Sequence, residues 1–356
     1  MDASMIKEAQ GNLLAADVDA LVNTVNTVGV MGKGLALQFK RAYPQMFTAY
    51  AAACKTGDVT TGRMHVWPTG LLDGPRYIIN FPTKKHWRAA SHLSYIEDGL
   101  VDLRRVIDDL ELTSIAVPPL GAGNGGLDWN DVRPLVEQSL GSLPGVQVLL
   151  YAPGATPRAE QMATATSRAP LTTGRAALID LLTSYTAVSL ETSIVEVQKL
   201  MYFLQTAGEP LKLKYAKNHY GPYADNLRFV LQRLEGHYIR GYGDGSRKVM
   251  ESEPLVVTQG SDDDARAALA DAPETQGRIA RVLELADGFE SMYGMELLAT
   301  VHWAAMHTEA SARDLDSVTT YVQEWSRRKR EIFTSRHICI AYEQLAQRGW
   351  LDAHAA

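Results

Sequence analysis

Cysteine is almost missing from this chain: Cys54 and Cys339 are the two in 356 residues, and they lie far apart. That excludes a disulfide framework and a cysteine-based zinc site. Long apolar runs are missing too, and so is any secretory leader, so a cytoplasmic location with no membrane partner is expected. Nor is there an excess of positive charge. With 35 Lys and Arg against 41 Asp and Glu, the net charge is −6, so any nucleic-acid contact has to be local rather than spread over a basic domain.

What is present is enough chain for two domains of ordinary size. Up to about residue 152, short β-rich runs alternate with helical ones. "SMIKEAQ", "DALVNTV", "GRMHVWP", "RYIINFP", "SIAVPPL" and "VQVLLYA" read as strands, and helical periods fall at about 36–53, 90–110 and 129–142. This alternation predicts an α/β sheet flanked by helices, with the ligand beyond the strand ends. "APGATPRAEQMATATSRAPLTTGRAA", residues 152–177, has three prolines and no sustained apolar period, and reads as a linker. Beyond it helical periods dominate, as in "IVEVQKLMYFLQTAG", where Leu200, Met201, Phe203 and Leu204 are expected in a core. "HYGPYADN" interrupts them, which puts Tyr220 and Tyr223 on a loop, and Asp262–Asp264 reads as solvated linker. No internal repeat is found.

Two glycine loops follow strands. In "TVGVMGKGLA", residues 27–36, Gly29, Gly32 and Gly34 surround Lys33. This is not a P-loop, because Gly34 follows the lysine where Ser or Thr would hold magnesium, and Thr27 stands where its first glycine belongs. Backbone amides at the start of the next helix can still cradle a diphosphate without a metal. The second loop, "PPLGAGNGGLDW" at 118–129, carries Gly121, Gly123, Gly125 and Gly126 around Asn124. Two such loops suit a ligand with two phosphates better than either alone. Asn23 and Asn26 end the strand before the first loop and can present amides to ribose hydroxyls, although asparagine is also a routine turn residue. Asp128 opens a helix, where capping is its ordinary role.

"NFPTKKHWR", residues 80–88, gathers Lys84, Lys85 and Arg88 at a strand end. A nucleophilic lysine must first lose its proton, and at an ordinary pKa about 0.1% or less is neutral at pH 7. A neighbouring ammonium or partial desolvation would raise that fraction, so Lys84 beside Lys85 is a candidate activated pair. A lysine pair taken alone is usually solvated surface.

Taken together, "QGNLL", "DALVNTVN" and "PPLGAGNGGLDW" resemble the macrodomain family, the ADP-ribose-binding α/β/α fold, over roughly residues 4–152. "NTVNTVGVMGKGLALQFKRAYP" with "FPTKKHWR" is similar to one branch of it, the DarG antitoxins, which are related to the human terminal ADP-ribose glycohydrolase macrodomain. The resemblance implies a three-layer α/β/α macrodomain with a mixed sheet at 1–155, a linker at 156–177, and a mainly α-helical toxin-neutralising domain at 178–356. It implies an enzyme that removes ADP-ribose from thymidine in single-stranded DNA and restrains a cognate DarT-type DNA ADP-ribosyltransferase. ADP-ribose would be product and ligand, with no cofactor and no metal. A reader of ADP-ribose without turnover and a hydrolase of protein-linked ADP-ribose are the alternative readings.

Carried over by position, Lys84 would be the essential lysine and Asp128 the assisting acid. Asn12 would face adenine and Asn26 the distal ribose. Gly32, Lys33, Gly34 and Leu35 would surround the diphosphate together with Gly121, Ala122, Gly123, Asn124, Gly125 and Gly126. Gly11, Leu13, Asn23, Thr24, Met31 and Thr83 complete the expected ADP-ribose lining. Lys85 and Arg88, with Trp87 as a stacking platform, are candidates for contact with flanking single-stranded DNA.

Overall fold

In the computed structural model the alternating runs of the first half become β1 (Ile6–Ala9), β2 (Ala20–Asn26), α1 (Gly34–Ala42), α2 (Pro44–Thr56), β3 (His65–Pro68), β4 (Tyr77–Lys84), α3 (Leu93–Asp109), β5 (Ser114–Val117), α4 (Trp129–Leu140) and β6 (Gln147–Tyr151). The structure describes residues 6–154, 156–309 and 314–352; Ser4 and Met5, which open the first expected strand, lie outside the described residues. The chain divides into two units, one ending at Ser167 and taking in Asp244–Ser246, the other comprising Arg168–Gly243 and the residues from Arg247 on.

The six strands form one sheet in the order β1-β6-β5-β2-β4-β3. All neighbours are parallel except the edge strand β3, which runs antiparallel to β4. Alternation along β2 builds the layers, because successive side chains point to opposite faces. Ala20 and Val22 join Ile79, Phe81 and Val148 in a core covered by Leu100 and Leu103 of α3 and Val132 and Val136 of α4. Leu21 and Val25 join Ile78 in a second core with Phe39, Met46 and Tyr50 of α1 and α2. This is the three-layer α/β/α arrangement with a mixed sheet.

The helix expected over 36–53 is two helices. Pro44 lacks an N–H and crowds the residue before it, so Tyr43 leaves the helical region at φ −131°, ψ 69° and α2 restarts from the proline. The parallel strands β2, β4 and β5 end at Asn26, Lys84 and Val117. Their loops therefore gather at one end of the sheet, where α/β folds place ligands.

The second unit contains α5 (Thr173–Thr186), α6 (Ile194–Thr206), β7 (Tyr215–Asn218), β8 (Gly221–Ala224), α7 (Leu227–Leu234), β9 (Ile239–Arg240), β10 (Val256–Val257), α8 (Ser261–Leu269), α9 (Pro273–Ala286), α10 (Met292–His307), α11 (Leu315–Trp325), α12 (Arg327–Ile332) and α13 (Ser335–Gln347). It is mainly helical, as expected. A reciprocal cap starts α6: the Ser193 hydroxyl accepts from the Glu196 N–H while the Glu196 carboxylate accepts from the Ser193 N–H. Leu200, Met201, Phe203 and Leu204 are all buried in this unit's core, together with Leu298 and Val301 of α10.

Three sequence expectations are corrected here. Helix α5 begins at Thr173, inside the stretch expected as linker, and Ala176 and Ala177 are fully buried; the Pro- and Thr-rich residues just before it mask the start of the helical period. "HYGPY" is a tight β7–β8 hairpin rather than a loop between helices, with Asn218 paired to Gly221 and Tyr223 to Ala216. Asp262–Asp264 forms the first turn of α8, not a linker, because carboxylates are favoured at a helix N-terminus.

Candidate active site

The end of β2 is built around Asn26. Its side-chain oxygen accepts from the backbone N–H groups of Val28 (3.0 Å) and Val30 (3.3 Å), and its amide donates to the Val30 carbonyl at 2.6 Å. The Tyr50 hydroxyl donates to the Asn26 carbonyl at 2.5 Å. Asn26 therefore shapes the first glycine loop from within and is itself 5% exposed. Asn23, expected at ribose hydroxyls, lies inside the sheet with no exposed surface; its amide donates to Asn80 Oδ1 at 2.9 Å. Asn80 in turn meets His65 Nδ1 at 3.1 Å. Asn23 is interior because it lies within β2, which runs on to Asn26.

Met31 and Thr83 are likewise buried, with the Thr83 hydroxyl donating to the Val25 carbonyl. Gly32 and Lys33 are exposed on the loop, and Thr24 and Leu35 are half-buried. Gly34 opens α1 at φ +63°, and a Cβ on it would stand 3.1 Å from the Asn124 amide nitrogen. The two glycine loops thus meet at Gly34 and Asn124. In the second loop Gly121 and Gly125 are buried, Ala122 is half-buried, and Gly123 and Gly126 are exposed.

Lys84, the last residue of β4, is half-buried at this meeting point, and its ammonium donates to the Asn124 carbonyl at 2.8 Å. Burial pushes its pKa below the ordinary lysine value. Of the two causes expected, partial desolvation is the one that acts, and Lys85 places its ammonium 5.8 Å from the Tyr95 ring. The Thr27 hydroxyl donates to the Lys85 carbonyl at 2.9 Å, fastening the first loop to the strand end beside Lys84. Next to it the exposed Trp87 stacks with His86, ring centroids 5.3 Å apart, and carries the Arg88 guanidinium 4.4 Å from its ring.

Two further candidates have local structural work. Asp128 caps α4, its Oδ1 accepting from the Asn130 N–H at 2.9 Å. Asn12, between Gly11 and the buried Leu13, caps a short 3-10 turn through Leu14 and donates to the Gln161 carbonyl at 2.7 Å. Sequence reading missed Tyr50 and Ser91. Tyr50 sits amid a run of alanines and shows there only an apolar ring. Ser91 precedes a helix and resembles a cap, whereas its backbone N–H donates to the Gly125 carbonyl at 2.9 Å.

A mixed six-stranded sheet in three layers, with two glycine loops facing each other across the strand ends, defines the first unit as a macrodomain, and residues 22–136 match the Macro domain family. The resemblance extends to whole proteins. A DNA ADP-ribosyl glycohydrolase of Thermus aquaticus is 47% identical over 98% of this chain and 94% of its own length. A DNA ADP-ribosyl transferase–DNA ADP-ribosyl glycohydrolase fusion protein of Thermosipho africanus is 32% identical over 40% of this chain and 41% of its own. The solved macrodomain of Mycobacterium tuberculosis DarG is 62% identical, covering 43% of this chain and 100% of that one, with a TM-score of 0.42. The chain belongs to the family of the DNA ADP-ribosyl glycohydrolases and is a hydrolase of that class.

Proposed function

We propose that this protein removes ADP-ribose from thymidine in single-stranded DNA, with Lys84 as nucleophile. One observation carries the reading: a desolvated lysine amine stands at a strand end, 2.8 Å from the glycine loop suited to hold the diphosphate. Desolvation raises the neutral fraction that the chemistry needs. The neutral amine attacks the anomeric carbon of the ribose. The carbon–nitrogen bond to thymine breaks, its electron pair leaves on the base, and the base takes up a proton. Water then adds at the anomeric carbon, the bond to Nζ breaks, and free ADP-ribose leaves with Lys84 restored.

In this scheme the backbone amides of the two glycine loops hold the diphosphate, Asp128 shuttles protons, and Trp87 with Lys85 and Arg88 receives the flanking strand. The second unit binds and restrains a DNA ADP-ribosyltransferase. The Thermosipho relative, whose name joins the two activities in one chain, supports that pairing. The test is product analysis with a thymidine-modified single-stranded oligonucleotide and an ADP-ribosylated protein side by side. Release of ADP-ribose from the DNA alone is the expected result. Release from the protein alone, or from neither, rejects the reading.

A further inference from the structure

Ser91 lies outside every role assigned so far, and its setting is unusual. The residue is 5% exposed, and its buried hydroxyl oxygen has no hydrogen-bond partner among the described residues. A buried hydroxyl left unpaired is costly, and such a group calls for an explanation. The second glycine loop is folded around it. A Cβ on Gly125 would stand 2.3 Å from Ser91 Oγ and 2.3 Å from the Gly121 carbonyl oxygen. A Cβ on Gly121 would stand 3.3 Å from the same Oγ. The Ser91 N–H already holds the Gly125 carbonyl at 2.9 Å. The loop thus wraps a post whose backbone is engaged and whose hydroxyl is not.

We propose that Ser91 is a positioning residue for the diphosphate loop, and that its hydroxyl becomes a donor to the loop's backbone carbonyls when the loop closes on a diphosphate. Two features of the setting lead there. A Cβ on Gly125 would touch both the hydroxyl and the Gly121 carbonyl oxygen, so with glycine there the acceptor beside the hydroxyl is a carbonyl of the loop itself. That carbonyl holds the Leu127 N–H at 3.1 Å and has a second lone pair to offer. An anion drawn in by the loop amides shifts the loop's carbonyls, and a hydroxyl rotates freely to meet whichever comes into range. Ser91 also belongs to the segment that follows Lys84 and carries Trp87 and Arg88, so the same post joins the diphosphate loop to the proposed DNA-facing stretch. This inference rests on the ADP-ribose reading of the site.

The experiment titrates free ADP-ribose into the full-length protein and into Ser91→Ala and Ser91→Cys, with melting temperatures recorded with and without ligand. Both variants are expected to bind ADP-ribose about tenfold more weakly, while melting within a degree or two of wild type when unliganded, because no native hydrogen bond of the side chain is lost. Affinity within twofold of wild type in both variants overturns the inference. So does a parallel loss of affinity and of unliganded stability in both, since that marks the hydroxyl as a fold element. Failure of the wild-type protein itself to bind ADP-ribose rejects the reading of the site, a result distinct from either.

Discussion

The ammonium of Lys84 donates to the backbone carbonyl of Asn124 at 2.8 Å. The proposed nucleophile is thereby tied to the loop proposed to hold the diphosphate, so ligand binding and catalysis share one contact. A lysine in this position has to give up both a proton and the Asn124 carbonyl before it can attack. Burial makes the first of these easier by lowering its pKa.

Replacement of Lys84 by alanine is expected to reduce release of ADP-ribose from thymidine-modified DNA on the order of a thousandfold or more, while binding of free ADP-ribose stays measurable. Because the neutral amine is the reactive form and its pKa lies below the ordinary lysine value, turnover should rise with pH through the neutral range. Single-turnover assays across that range check both points. Near wild-type turnover in the alanine variant would falsify the covalent role. Lys85→Ala should do less, weakening engagement of DNA rather than chemistry.

The glycines of the cradle are not equivalent. Gly34→Val forces a β-branched residue into φ +63° with the Asn124 amide 3.1 Å from its Cβ, and Gly125→Ala drives a methyl to 2.3 Å from the Gly121 carbonyl. Both are expected to weaken ADP-ribose binding and to lower the melting temperature. Gly123 has no positive φ, and its Cβ would meet nothing within 4 Å. Gly123→Val should therefore fold normally, and calorimetry on it isolates contact with the ligand. Unchanged affinity in all three variants would rule these loops out as the diphosphate site.

Much of this was legible in the residues because the relevant signals are local. The strand–glycine-loop pattern around Gly34 and Gly121, and the lysine at the end of "YIINFPTK", each sit within a few residues of the element that presents them. What stayed hidden depends on partners distant in sequence. Asn23 looks like a turn asparagine until its amide is seen paired with Asn80, 57 residues away. The desolvation of Lys84 comes from tertiary packing, whereas an adjacent Lys85 is visible by eye. Only the first turn of helix α5 was obscured, because Thr173 to Ala176 follow a Pro- and Thr-rich stretch and alanine carries little periodic signal.

The second unit holds a buried lysine whose titration should be measurable. Lys199 has no exposed surface, and its ammonium donates to the Pro222 carbonyl at 2.6 Å. Burial, reinforced by the nearby Lys329 ammonium and opposed by Glu296, pushes its pKa down to about 7. An unfolded chain would return it to about 10.4. Between these values the unfolded state binds more protons, so this group makes stability rise with pH from about 7 toward 10 and contributes no slope below. Urea midpoints of wild type and Lys199→Met at pH 6.5 to 9.5, on the order of one unit apart, test this. The variant should show a flatter rise, and two parallel curves would refute the assignment.

Restraint of the transferase is the claim that most needs the second unit. A row of carboxylates such as Asp262–Asp264 could imitate DNA phosphates if its charges were free. Asp262 and Asp263 instead pair with Arg266 and Asp264 with Arg168, so this row is partly neutralised. What the unit does expose is apolar surface at Val188, Leu190 and Met250, and it carries a tight hairpin whose half-buried Tyr220 has the Arg328 guanidinium 4.9 Å from its ring. These features suit docking onto a folded protein better than a charge mimic does. The fragment to test runs from 168 to 356, because a cut at 178 removes the fully buried Ala176 and Ala177. That fragment is expected to co-purify with the cognate transferase and to slow its modification of DNA with no macrodomain present. Leu190→Asp combined with Met250→Asp should weaken the complex at least tenfold while leaving the fragment folded, since both side chains are exposed. Residues 1 to 167 alone should release ADP-ribose from DNA and form no stable complex. A folded fragment that neither captures the transferase nor slows it would show that this protein acts on the modified DNA and not on the enzyme that modifies it.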